Sequence, residues 1–184
     1  MIVQEPPASN LLNAYSSAVR DVLEGLKAWN ADRLNDNILH IPLYYMDAEQ
    51  IRDGKGLDRA VRSGCRLIAG YDTNEPILAE MADEGKYANE PLFRNIIRGD
   101  AARKFARAVN STLAKWKPDP QRYSLRTLQI PTLFAEYIWL APLDGTGEDL
   151  LVKLDGTEAT AATALDELKP LAEQRLQYED VKLI

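Results

Sequence analysis

In 184 residues the chain has one cysteine, Cys65, and one histidine, His40. A single thiol excludes an internal disulfide and every multi-cysteine zinc or iron–sulfur arrangement, and a single imidazole excludes a multi-histidine cluster. Most transition-metal sites are thereby removed; carboxylate-bound hard cations are not. Long apolar runs are also missing. No segment approaches the roughly 20 continuous apolar residues that a membrane-spanning helix needs. The N-terminus, "MIVQEPPASN", has neither the basic start nor the apolar run of a signal peptide. The expectation is a cytoplasmic protein with no membrane contact. Phosphate loops and nucleophile elbows are absent as well: G-x-x-x-x-G-K-[ST], G-x-G-x-x-G and G-x-S-x-G do not occur. That weighs against the common nucleotide-binding and hydrolase classes, and no cofactor is expected.

What is present suits one globular domain over residues 1–184, with 46% apolar residues, an acidic pI and a net charge of −6. The charge is uneven. Arg52 to Arg126 holds 15 basic residues against 10 acidic ones, while the rest of the chain holds 7 against 18. Such a split serves either an acidic partner or packing of the acidic ends near the basic centre.

Hydrophobic spacing predicts several helices. Leu11, Tyr15, Val19, Val22, Leu26 and Trp29 recur at steps of three and four behind a Ser9 or Asn10 cap. Asp47 is expected to cap one turn. Leu57, Val61, Cys65 and Ile68 fit one face of a helix ended by Gly70, with Arg59, Arg62 and Arg66 on the opposite face. The tripeptide Asn-Glu-Pro occurs twice, at Asn74 and Asn89, and reads as two helix starts with asparagine caps and first-turn prolines. Asp100 caps a helix to about Trp116, and an amphipathic helix begins near Thr157 and passes Pro170. Extended structure is expected at "ILHIPLYYM", where Pro42 implies an edge or a bulge. It is expected again beyond Tyr123, divided at Pro131. There Leu133–Leu140 and Asp149–Leu154 flank the turn "APLDGTGED" as a β-hairpin. The resulting fold class is α+β: five or more helices packed with a small antiparallel sheet centred on that hairpin.

Candidate sites are few. Asp144, Glu148, Asp149 and Asp155 offer oxygen ligands, but the hairpin carries Asp155 about 20 Å from the turn at ~3.4 Å per residue, so an exposed turn is expected and no metal. The repeated "LDGT" at Leu143 and Leu154 serves a turn and a helix start. Cys65 and His40 are the one conceivable thiol–imidazole pair, yet Cys65 lies on an apolar face and reads as inert. Glu136 interrupts an otherwise apolar strand and is expected on its outer face; were it turned inward, it would be a candidate acid or base.

The remaining lead is arginine. Arg59, Arg62 and Arg66, with Arg103 and Arg107, form stripes suited to phosphates or an acidic protein surface. Without interleaved aromatics or a nucleic-acid motif, nucleic acid is the weaker reading; it predicts steeply salt-dependent retention on a polyanion. The sequence thus favours a non-enzymatic interaction or adaptor protein with an acidic protein partner, of undetermined oligomeric state. The alternative is a small-ligand binder or enzyme whose pocket is lined by His40, Tyr44, Glu136, Tyr137 and Trp139, with Glu136 or His40 as acid or base. An enclosed pocket around those residues, or a basic face without one, separates the two.

Overall fold

The computed structural model describes residues 1–4, 7, 9–24, 38–82, 92–117 and 122–181. In chain order the elements are β1 (Ile2–Val3), α1 (Ser9–Glu24), β2 (Leu39–Tyr45), α2 (Ala48–Arg52), β3 (Val61–Ala69), β4 (Ile77–Ala82) and β5 (Leu92–Ile97). They continue with α3 (Gly99–Trp116), β6 (Tyr123–Ile130), β7 (Ala135–Pro142), β8 (Leu150–Lys153), β9 (Glu158–Thr160) and α4 (Ala161–Val181). Eight strands run in the order β5-β4-β3-β2-β6-β7-β8-β9, and β1 pairs with β6 as the ninth.

Two antiparallel blocks, β2 to β5 and β6 to β9, meet at a parallel seam where Leu43, Tyr44 and Tyr45 of β2 lie beside Thr127, Leu128 and Gln129 of β6. Earlier along β6, Tyr123 and Ser124 pair instead with Ile2 and Val3 of β1, also in parallel.

Alternation along the strands divides the core into layers. Leu39, Ile41, Ile68, Leu78, Leu125, Ile138, Leu140 and Val152 meet Ala102, Phe105, Ala108 and Val109 of α3 on one face. On the other face, Cys65, Leu67, Ala69, Ile77, Ala79 and Met81 take Tyr15 and Val19 of α1. The same side of the second block, through Leu128, Ile130, Tyr137, Trp139 and Leu151, takes α2 and α4. Each large side chain buried here contributes ~1.5–3 kcal/mol. Lys115 Nζ to Glu158 Oε2, 2.7 Å, ties the end of α3 to β9.

Several sequence expectations are corrected. The described residues hold four helices and a large mixed sheet, not five or more helices with a small antiparallel one. Residues 57–69 are a 3-10 turn, Leu57–Arg59, and then β3. Both faces of β3 are covered, so its apolar residues form a near-continuous run that helical spacing fits equally well. Asn74 caps nothing: a turn closed by Thr73 N to Gly70 O leads past it into β4, all six residues of which are buried. Asn89 lies outside the described residues, and the segment after it is strand β5. Pro42 pairs with Cys65 of β3 just before a register shift between Leu43 and Tyr44, and the ladder of β2 with β6 begins only at Leu43, so on that side the strand is locally an edge at Pro42. The hairpin expected of Leu133–Leu140 with Asp149–Leu154 is present as β7 and β8, paired over 137–140 and 150–153, while Leu133 belongs to a 3-10 turn before β7. The first helix is α1, its expected continuation to Trp29 lying outside the described residues.

Gly64, at the same register shift, has φ +156°, and a Cβ there would stand 1.9 Å from the Met81 carbonyl oxygen. The two strands approach at this point only because a side chain is missing.

Candidate functional site

On the α3 face of the sheet, charged groups meet in the core. Arg66 of β3 is 1% exposed and lies directly across from Glu80 of β4. Its Nη2 donates to Glu80 Oε1 and forms an ion pair with Glu136 Oε1 of β7 at 2.8 Å. Gln129 Nε2 bonds the same two carboxylate oxygens at 3.2 and 2.8 Å, and the Phe105 ring lies 4.3 Å from the guanidinium carbon. Strands β3 and β2 stand between Glu80 and Gln129. At ~4.8 Å per strand a flat sheet would hold their backbones ~14 Å apart, so the sheet curls toward α3 at this end. Arg66 Nε and Nη1 are buried with no hydrogen-bond partner among the described residues. Glu136 therefore does not mark a solvated outer face; it anchors a buried cation, with its own side chain 24% exposed.

The other residues of the sequence-derived pocket are elsewhere. Tyr137 and Trp139 alternate with Glu136 along β7 and face α4, as does Tyr44. Tyr44 and Trp139 meet edge to face at 5.1 Å, and Arg126 covers both rings, 5.3 and 4.7 Å from their centroids. Trp139 Nε1 donates to Asp149 Oδ1 at 2.7 Å. Burial pushes the Tyr137 phenol above its ordinary range, offset in part by Lys153. His40 stands opposite Leu67 on the face away from α3 and lines a small hollow with Val3, Pro42 and Ser124. The sheet thus separates His40 and the aromatics from Glu136. Cys65 is buried among Leu67, Ala79 and Met81.

The arginines divide three ways. Arg66 is in the core. Arg59 ends the 3-10 turn, exposed and paired with Asp58 at 3.3 Å, and Arg62 is exposed at the start of β3. Arg103 and Arg107, one turn apart on α3, line a cleft of about 440 Å³ with Asp100, Lys104 and Leu154. Arg103 bonds Asp100, and that bond, with the charges of Arg103 and then Arg107, holds the Asp100 carboxyl below its usual range. Lys104 and Arg107 have no carboxylate within ion-pair distance among the described residues. The grouping of Arg103, Lys104 and Arg107 on one side of the helix was legible in the sequence; the wall supplied by Leu154 was not, since it depends on where β8 ends.

The acidic residues of the β7–β8 region are spent locally. Asp144 and Asp155 accept from the backbone amides of Thr146 and Thr157, at 3.1 and 2.9 Å, and those bonds lower both carboxyls. Among the described residues, no three His, Cys, Asp or Glu side chains are placed to hold a metal.

One exposed apolar feature has no sequence signal. Phe134 is 87% exposed at a left-handed position, φ 51°. With Leu133, Leu171, Arg175 and Tyr178 it borders a hollow of about 280 Å³.

Compared with protein-family models, curated proteins and solved structures, the chain has no match.

Proposed function

We propose that this chain is a non-enzymatic interaction module that docks an acidic partner on α3. The supporting observation is the cleft in which Arg103, Lys104 and Arg107 face one space with a single carboxylate, Asp100, among them. On a chain of net charge −6, a local cationic surface of this kind attracts and orients an acidic partner. The stripe inferred from Arg59, Arg62 and Arg66 contributes less, because Arg66 is committed to Glu80 and Glu136. A small-ligand or enzymatic role has less support, since the sheet keeps His40, Tyr44, Tyr137 and Trp139 apart from Glu136.

Anisotropy titration of a fluorescent Glu/Asp-rich peptide tests the proposal, using wild type and the Arg103→Glu/Arg107→Glu variant with far-UV circular dichroism as the folding control. The wild type is expected to bind, less tightly as salt rises through ~0.15 M, and the folded variant to lose binding. Equal binding by both proteins, or none by the wild type, overturns the proposal.

A further inference from the structure

Resting on that reading of α3, we infer that the cleft selects a phosphate monoester carried by the partner protein over a carboxylate. Charge is the first reason. Three cations and one carboxylate line the cleft, an excess of two positive charges. A carboxylate neutralises one of them, whereas a phosphate monoester carries about −1.5 to −2 at neutral pH.

Donor geometry is the second. Side chains at i and i+4 of a helix have Cβ atoms ~5–6 Å apart, so the guanidinium forks of Arg103 and Arg107 reach two edges of one tetrahedral anion. A planar carboxylate is satisfied by a single fork. Lys104 adds a point charge from the adjoining position, and the cleft has the volume for a compact group.

The third reason is that the nearby carboxylates leave this requirement unmet. Among the described residues Asp100 bonds only Arg103, and its side chain is 97% exposed, so that pair is readily given up. Asp155 is close enough for the Lys104 charge to help lower its carboxyl, but its Oδ1 accepts from Thr157 N at 2.9 Å. The cleft also disfavours a nucleic-acid strand. Its cations lie within little more than one turn of α3, between Asp100 and Leu154, whereas a backbone of singly charged phosphodiesters is tracked by a longer basic row.

Calorimetric titration of two peptides of one sequence, carrying phosphoserine or glutamate at the same position, decides the matter. The phosphoserine peptide is expected to bind at least tenfold more tightly and to be displaced by inorganic phosphate. Arg107→Gln should abolish the preference. Arg107→Lys, which keeps the charge and loses the fork, should retain only part of it. Equal affinity for the two peptides overturns this inference and leaves the acidic-partner reading standing; binding of neither overturns both. Full preference in Arg107→Lys overturns the fork argument on which the inference depends. Single-stranded DNA binding more tightly than the phosphoserine peptide also overturns it, in favour of nucleic acid.

Discussion

Arg66 and Glu80 stand directly opposite each other on β3 and β4, and the guanidinium of that pair is held in the core beneath the ring of Phe105. Such a pair couples sheet register to charge. A slip of one residue along β3 would turn Arg66 to the α1 face, where Ile77, Ala79 and Met81 of β4 and Tyr15 and Val19 of α1 offer it no carboxylate.

Removing only the cation is therefore expected to be costly. Arg66→Met leaves Glu80 and Glu136 facing each other, and a loss of about 3–5 kcal/mol in urea-unfolding free energy is expected. Adding Glu80→Met and Glu136→Gln should recover most of it, because no charge is then left unpaired. If Arg66→Met costs less than about 1 kcal/mol, the cluster does not stabilise the sheet in this way.

Tyr15 gives the fold an alkaline limit. Its ring is fully buried against β3 and β4, its hydroxyl has no partner among the described residues, and burial pushes the phenol far above its ordinary range. A raised folded-state pKa means stability that is intact below the unfolded value near 10 and falls as pH rises beyond it, by about 1.4 kcal/mol per unit at most. Tyr15→Phe should flatten this decline and add about 1 kcal/mol at neutral pH, by removing an unsatisfied hydroxyl. Thermal melts from pH 8 to 11 would show it; an unchanged slope in the variant sinks the assignment.

Two glycines should respond differently to the same substitution. Gly145 also has a left-handed φ, +67°, but nothing lies within 4 Å of a Cβ placed there, so Gly145→Ala should cost only ~1 kcal/mol of backbone strain. At Gly64 the Met81 carbonyl oxygen stands in the way, and Gly64→Ala should cost about 3 kcal/mol or more by forcing β3 from β4. Equal melting temperatures for the two variants would contradict the close approach.

Phe134 is strained and barely buried. Asparagine tolerates the left-handed region better and a β-branched residue worse. Phe134→Asn should therefore raise stability by about 0.5 kcal/mol, even after loss of the Arg175 contact 5.8 Å from the ring, and Phe134→Val should lower it. Calorimetric melting temperatures in the order Asn, Phe, Val support this; the reverse order refutes it.

The sequence revealed elements whose faces differ and concealed those whose faces are alike. In α1 and α3 one side meets the sheet and the other meets solvent, so Tyr15 and Val19, or Phe105 and Val109, stand out against polar neighbours. In β3 and β4 both faces are covered. Cys65, Leu67 and Ala69 alternate with Ile68, leaving no period-2 signal to compete with helical spacing. The Asn-Glu-Pro preceding β4 meets every local requirement of a helix start, yet burial of all six residues from Ile77 to Ala82 prevails over one capping bond. Arg66 was misplaced for a related reason: its partners Glu80 and Glu136 are distant in sequence, and nothing near it announces them. The basic cleft was half visible, because Arg103 and Arg107 are helical neighbours, whereas Leu154 is joined to them only by the fold.

The parallel seam between β2 and β6 bears on how the chain reaches this state. Antiparallel neighbours within either block come mostly from adjacent stretches of chain, so each block can assemble by closing comparatively short loops. The seam joins Leu43 to Thr127, and β1 must bring Ile2 to Tyr123, across much larger separations. Both pay the greater closure entropy, and both belong to the slow, non-local class of contacts. Docking of two preformed halves along β6 is thus the expected late event in refolding, and substitutions at Leu43 or Thr127 should accelerate unfolding more than they retard folding.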